Sequence, residues 1–141
     1  MKNLRILAAM LILFGAPAIA DIDVETRQNH ILFDQGGSQL AAPAKDQLGR
    51  LSQVLVTSPM DRACLRLVGY SDATGGDAIN LSISKARADA VASYLSEQMG
   101  SSARILEVEG RGATEFLTGI SPTSRFQRRV AIFARDCPLD M

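Results

Sequence analysis

The chain has one histidine, two cysteines, no excess of either charge sign and no apolar run long enough to cross a membrane. Each shortage removes a class of function. His30 stands among apolar neighbours in a strand-like stretch with no evident serine or cysteine partner. A nucleophile–histidine–acid triad is therefore not expected, and the default role of His30 is structural. Cys64 and Cys137 flank no CxxC and no histidine pair, so a metal site is not expected either. Lys plus Arg and Asp plus Glu each number 15, whereas a nucleic-acid partner would want a basic face. The apolar run Ile6 to Gly15 falls short of the ~20 residues of a spanning helix. Repeats and low-complexity segments are missing as well.

That apolar run has a context. Met1-Lys2-Asn3-Leu4-Arg5 precedes it as a short positive segment, and Ala16-Pro17-Ala18-Ile19-Ala20 follows as a small-residue cleavage pattern. Residues 1–20 are therefore expected to be a signal peptide, with Asp21 as the mature N-terminus. No cysteine lies at the cleavage point, so a lipid-bearing mature N-terminus is not expected. About 120 residues remain, the size of one domain with one core. Without Lys2 and Arg5 they are mildly acidic, and they hold no transmembrane segment. Export puts Cys64 and Cys137 where disulfides persist. A bond between them is expected, the alternative being two separate thiols.

Residues 21–28 are polar and read as a flexible leader, and 138–141 as a tail; the folded domain is expected over 29–137. Asn29 to Phe33 reads as a first strand, stopped by Asp34-Gln35-Gly36-Gly37. Ala44, Leu48, Leu51 and Leu55 recur at helical spacing, predicting a helix from about Pro43 to Val56 with Ser38 as a candidate cap. Cys64 to Tyr70 is a second strand. Asn80 to Met99 is a second helix, burying Ile83, Ala88, Val91 and Leu95 and ending at Gly100. Ile105–Glu109 and Arg129–Arg135 are two more strands, separated by an aperiodic loop. The order β-α-β-α-β-β predicts an α+β (α/β sandwich) fold, two helices packed on one face of a mixed four-stranded sheet.

The loop after the second strand, Ser71 to Asp77, is the best place for chemistry. It carries Asp72 and Asp77 among turn residues at a strand-to-helix corner, and Arg87 follows in the next helix. A carboxylate and a guanidinium held apart on one rigid corner suit a zwitterion: the acid takes an ammonium, and the arginine fork takes a carboxylate. On spacing alone, Asp72 and Arg87 read first as a surface ion pair of little energetic weight.

A set of short motifs shifts that balance. Gly69-Tyr70-Ser71-Asp72-Ala73-Thr74-Gly75 resembles the GHTDxxG loop of the OmpA-like peptidoglycan-binding family. Asn80 falls where that family has an asparagine, and Ile83 to Val91 resembles its LSxxRAxxV helix start. Gly110-Arg111-Gly112 resembles its GxG turn, Arg128-Arg129-Val130 its NRRV strand entry, and Phe33-Asp34 its first-strand ending. The pieces occur in order over about residues 29–135. The resemblance implies non-covalent binding of the diaminopimelate residue of the peptide stem. Asp72 would take the ammonium and Arg87 the carboxylate, Thr74 and Asn80 would line the pocket, and Arg128, with Arg129 second, would approach from the last strand. It also implies a non-enzymatic protein of the periplasm, associated with the cell wall, with no cofactor. Its partners would be the peptidoglycan peptide stem and an outer-membrane or other envelope protein. Three positions depart from the pattern: Tyr70 for histidine, Gly36 for asparagine and Gln127 for the asparagine before the arginine pair.

The alternative function keeps the fold as a protein–protein interaction module of an envelope complex, with weak or no peptidoglycan binding. Glu107 and Glu109, on one strand face, read as a solvated face rather than a catalytic carboxylate pair. Arg125, Arg128, Arg129 and Arg135 read as a local basic patch.

Overall fold

A computed structural model describes residues 27–139. The expected signal peptide, and residues 21–26 of the expected leader, lie outside the described residues. Four strands and two helices follow one another: β1 (Arg27–Leu32), α1 (Ala42–Leu55), β2 (Ala63–Gly69), α2 (Asp77–Met99), β3 (Ile105–Gly110) and β4 (Arg129–Asp136). The sheet runs β1-β4-β2-β3. β4 is antiparallel to both β1 and β2, and β2 is parallel to β3. This is the mixed four-stranded α+β arrangement expected from the order of elements.

The differences from expectation are local. β1 starts two residues early, because Arg27 and Gln28 pair with Ala134 and Phe133 across the ladder. α1 is capped by Ala41 without a side-chain bond, rather than by Ser38, and Pro43 stands in its first turn. α2 starts at Asp77, three residues before the apolar period makes a helix visible, with an acid in its first turn where the helix dipole favours one. Gly100 ends it with φ 70°.

Strand alternation sorts the sheet into two faces. Leu65 and Leu67 of β2 and Val130 and Ile132 of β4 join Ile31, Leu48, Leu55, Val91 and Leu95 in the core beneath the helices. On the opposite face Val68, Tyr70 and Ala131 make a small second cluster with Phe133. Arg66 lies 4.2 Å over the Phe133 ring and Arg129 lies 4.0 Å over the Tyr70 ring, so arginine side chains roof that cluster. Glu107 and Glu109 belong here, paired with Arg66 and Arg111. Cys64 and Cys137 are joined as a disulfide spanning 73 positions of sequence. On the chain-entropy account such a closure contributes about 4 kcal/mol.

What positions α2 is the absence of two side chains. A Cβ on Gly69 would lie 1.9 Å from the Ser84 carbonyl oxygen, and one on Gly110 would lie 2.4 Å from the Lys85 nitrogen. The helix rests directly on β2 and β3 at these points. Ser84 fixes the contact, its Oγ donating to the Leu81 carbonyl at 2.8 Å and accepting the Gly112 N–H at 2.9 Å. Gly69→Ala is expected to lift the helix and lower stability by about 3 kcal/mol or more, the upper range of overpacking. Gly49→Ala, in the interior of α1 with only ordinary contact at 3.9 Å from Tyr94 Oη, is expected to raise stability by about 0.5–1 kcal/mol. Urea midpoints of the two variants measure this; a Gly69→Ala protein as stable as the parent would contradict it.

Candidate functional site

Arg87 stands one turn beyond Ser84 on α2, so the glycine contact sets its position. It is 1% exposed, and its guanidinium donates to three main-chain carbonyls. Nε reaches Gly37 at 2.8 Å, Nη1 reaches Tyr70 at 3.2 Å and Nη2 reaches Asp34 at 3.0 Å. The loop after β1, the residue just after β2 and the middle of α2 are thus tied at one point, with the Phe33 ring 5.5 Å away. Burial lowers the basicity of Arg87, the Arg128 charge lowers it further and Asp72 partly restores it. A guanidinium stays charged through any such shift.

Asp72 is held by its own loop. Its Oδ1 accepts from the Thr74 amide at 2.9 Å and from the Thr74 hydroxyl, an Asx-type turn. Gly75, at φ 91°, lets the chain reverse into α2. The Asn80 side-chain amide donates to the Gly75 carbonyl at 3.5 Å and steadies that reversal. On the other side, Asp72 Oδ2 accepts from Arg128 Nη1 at 3.0 Å, while Arg128 Nε donates to the Phe33 carbonyl at 3.0 Å. Burial pushes the Asp72 carboxyl up, but the two Thr74 bonds and the Arg128 bond and charge together outweigh it and hold it below the ordinary value.

Asp72, Thr74, Asn80, Arg87 and Arg128 all line one cleft of about 280 Å³. Ile79 and Ile83 form an apolar wall beside them. The surface-pair alternative is therefore wrong in its geometry. Asp72 and Arg87 are 4% and 1% exposed, and among the described residues the ion pair of Asp72 is with Arg128. Two guanidiniums and one carboxylate leave this group with one net positive charge.

Arg129 is a correction. It follows Arg128 at the start of β4, and the two-residue alternation of a strand sends it to the opposite face. There it stacks on Tyr70 and donates to the Gln127 side chain at 3.2 Å and the Glu115 carbonyl at 3.2 Å, away from the cleft. The expected basic patch is divided in the same way. The Tyr70 side chain also faces away, its hydroxyl donating to Glu115 at 3.2 Å; only its carbonyl serves the site. Gly36 lines the cleft with φ 69° and leaves open space where a side chain would project.

Besides Ile79, and Ile83 that was expected in the core, further contributors escaped the sequence reading. Ser71 also lines the cleft. Ser84 sets the helix. Gln127 is fully buried and organises the 113–124 loop, accepting from the Leu117 amide at 2.9 Å and donating to the Ile120 and Ser121 carbonyls at 3.2 Å. The signal for Ser84 was its position between Ile83 and Arg87 on the helix face directed at the sheet; for Gln127 no periodic signal exists.

A model of the OmpA family matches residues 32–129 of the chain. The chain belongs to the OmpA family. Over 84 residues it is 33% identical to the probable lipoprotein YiaD of Escherichia coli K12, an alignment covering 60% of this chain and 37% of that one. It thus spans well under half the length of that curated relative. Among solved structures, the OmpA-like domain of FopA1 from Francisella tularensis superposes with a TM-score of 0.68 at 23% identity, covering 77% of this chain and 72% of that one. The peptidoglycan-associated lipoprotein of Burkholderia pseudomallei gives 0.64 at 24% identity, over 75% and 89%. The C-terminal domain of Helicobacter pylori MotB gives 0.65 at 16% identity, over 79% and 88%. At these identities the likeness is one of fold. The chain's cleft lies inside the segment matched by the OmpA family model.

The lowered Asp72 carboxyl makes a pH prediction. A group whose folded value is depressed stabilises the fold above its unfolded value and loses that contribution as pH falls through the folded value. The stability difference between the parent and Asp72→Asn should be constant near neutrality and close progressively below about pH 4. Urea melts across that range measure it, and a difference that does not shrink at all as pH falls below the ordinary carboxylate value would contradict the assignment.

Proposed function

We propose that this OmpA-family domain binds peptidoglycan non-covalently in the periplasm, through the diaminopimelate residue of the peptide stem. The observation that carries the reading is the shared cleft: the Asp72 carboxylate and the Arg87 guanidinium open onto one small cavity in a family frame. A solved protein of the same fold is itself named a peptidoglycan-associated lipoprotein.

The chemistry follows from the residues. Arg87 spends three of its five N–H groups on main-chain carbonyls, and two remain for a carboxylate. Carbonyls satisfy its hydrogen bonds without neutralising its charge, so an anion arriving there gains the interaction of a desolvated cation. Asp72 supplies the counterpart for an ammonium. Ile79 and Ile83 offer apolar surface to the methylenes between the two ends of the ligand. Thr74 and Asn80 act mainly through the loop, holding Asp72 and Gly75 in place. Nothing in this reading makes or breaks a covalent bond. Association with the cell wall is its consequence.

Sedimentation with purified sacculi tests it. The parent protein is expected to pellet with sacculi, and Asp72→Ala to lose about two orders of magnitude in affinity, the effect of deleting one member of a desolvated charge contact. Arg87→Ala would confound binding with folding, because three carbonyls would lose their donor. Arg87→Lys keeps the charge and removes the fork, and it should also weaken pelleting while a thermal melt confirms a folded domain. A parent protein that stays in the supernatant while the Burkholderia lipoprotein pellets would overturn the proposal. If the parent instead co-purified with one envelope protein, the fold would be serving as an interaction module.

A further inference from the structure

We propose that Arg128 is a two-position switch, occupying Asp72 in place of the ligand's ammonium while the cleft is empty and swinging toward Asp34 when that ammonium arrives. The identity of the ligand rests on the function proposed above; the occupancy of Asp72 does not.

The Asp72 side chain is 5% exposed, and both its oxygens are engaged. Oδ1 is held by the amide and hydroxyl of Thr74, which belong to the loop itself. Oδ2 is held by Arg128 Nη1 at 3.0 Å. An incoming ammonium therefore meets an acid whose outward oxygen already carries a cation. Of the groups around Asp72, Arg128 is the one able to yield. Thr74 is fixed by the turn, whereas the Arg128 side chain is 17% exposed and is anchored through Nε to the Phe33 carbonyl at 3.0 Å. Rotation about that anchor frees the terminal nitrogens without losing it.

There is space for the movement. Arg128 also forms part of the wall of a second groove of about 410 Å³, lined by Leu32, Phe33 and Asp34 of the first-strand ending. Asp34 lines that groove, and no ion pair involves its carboxylate among the described residues. Arg128 thus stands between two acids, one in each cavity. Arg87, a like charge within electrostatic range, repels it from the first. Asp72 keeps Arg128 because a buried carboxylate without a partner is costly; a ligand ammonium would offer it another partner.

The Thr74 amide reports on Asp72 directly, so its NMR shift is the readout. In Arg128→Gln, which keeps a donor for the Phe33 carbonyl, methylammonium should move the Thr74 resonance at concentrations about tenfold lower than in the parent, where Arg128 must first be displaced. No movement in the variant overturns the switch. Diaminopimelic acid should bind Arg128→Gln about tenfold tighter than the parent, since a charge-assisted bond no longer has to be broken. Weaker binding would make Arg128 a gripping group and overturn the proposal. Asp34→Asn should weaken diaminopimelic acid binding several-fold, and an unchanged affinity overturns the second position. Arg128→Met is the reserve variant should Arg128→Gln fail to fold. If diaminopimelic acid bound neither protein while methylammonium still separated them, the peptidoglycan reading would fall and the switch would stand.

Discussion

One buried guanidinium organises this domain's functional corner. Arg87 joins the loop after β1, the residue just after β2 and the body of α2 through three carbonyl bonds. None of those segments would hold its place alone: 34–37 is a turn, the strand ends at Gly69, and the first half of the helix buries polar side chains, Asn80, Ser84 and Arg87, in place of apolar ones. A hydroxyl could satisfy one carbonyl and a side-chain amide two; the arginine fork reaches three and keeps two donors over. The tie uses a side chain that also carries positive charge into the cleft, so truncating Arg87 alters the cleft's shape and its electrostatics together.

The close approach of α2 to the sheet makes this possible. Gly69 and Gly110 remove the side chains that would otherwise stand between helix and strands, and Ser84 replaces the lost packing with two hydrogen bonds. Arg87 then enters the domain near the level of the strand ends rather than above it. Residues that look like punctuation in the sequence therefore act as spacers that set a distance. The buried polar row Asn80, Ser84 and Arg87 continues the line of Ala88, Val91 and Leu95 on the same helix. The second half of α2 packs the core and the first half builds the site.

This division explains what the sequence revealed and what it withheld. The four strands and α1 were legible because their apolar residues alternate or recur as a core requires. The start of α2 was not, because its inward face is polar and an apolar-period reading begins only where that face turns apolar. Ile83, expected in the core, instead lines the cleft for the same reason. Asp72, Thr74, Asn80, Arg87 and Arg128 were legible through ordered family motifs, since their spacing alone favours a solvated ion pair. Arg129 was misplaced because a motif names two adjacent arginines while a strand sends them to opposite faces. Gln127 and Ser71 act through single buried contacts, and no pattern of neighbours announces a single contact.

The distribution of arginines shows why the cleft differs from the rest of the molecule. Arg66 and Arg111 face carboxylates on the open side of the sheet. Arg104 spends its fork on four carbonyls around the end of α1, a purely structural use. Arg129 lies against the Tyr70 ring with Glu115 and Gln127 as acceptors. Among the described residues, Arg87 alone is almost wholly buried, bonded to carbonyls, next to a second guanidinium and without a carboxylate of its own, since Asp72 is committed to Arg128. Folding tolerates this charge because three dipoles are aimed at it, but dipoles leave the net charge in place. A carboxylate in the cleft would neutralise it, and an accompanying ammonium would release Arg128 from Asp72. A ligand bearing both groups on one short apolar chain would therefore answer both features of the cleft at once, and a simple anion or a simple cation only one.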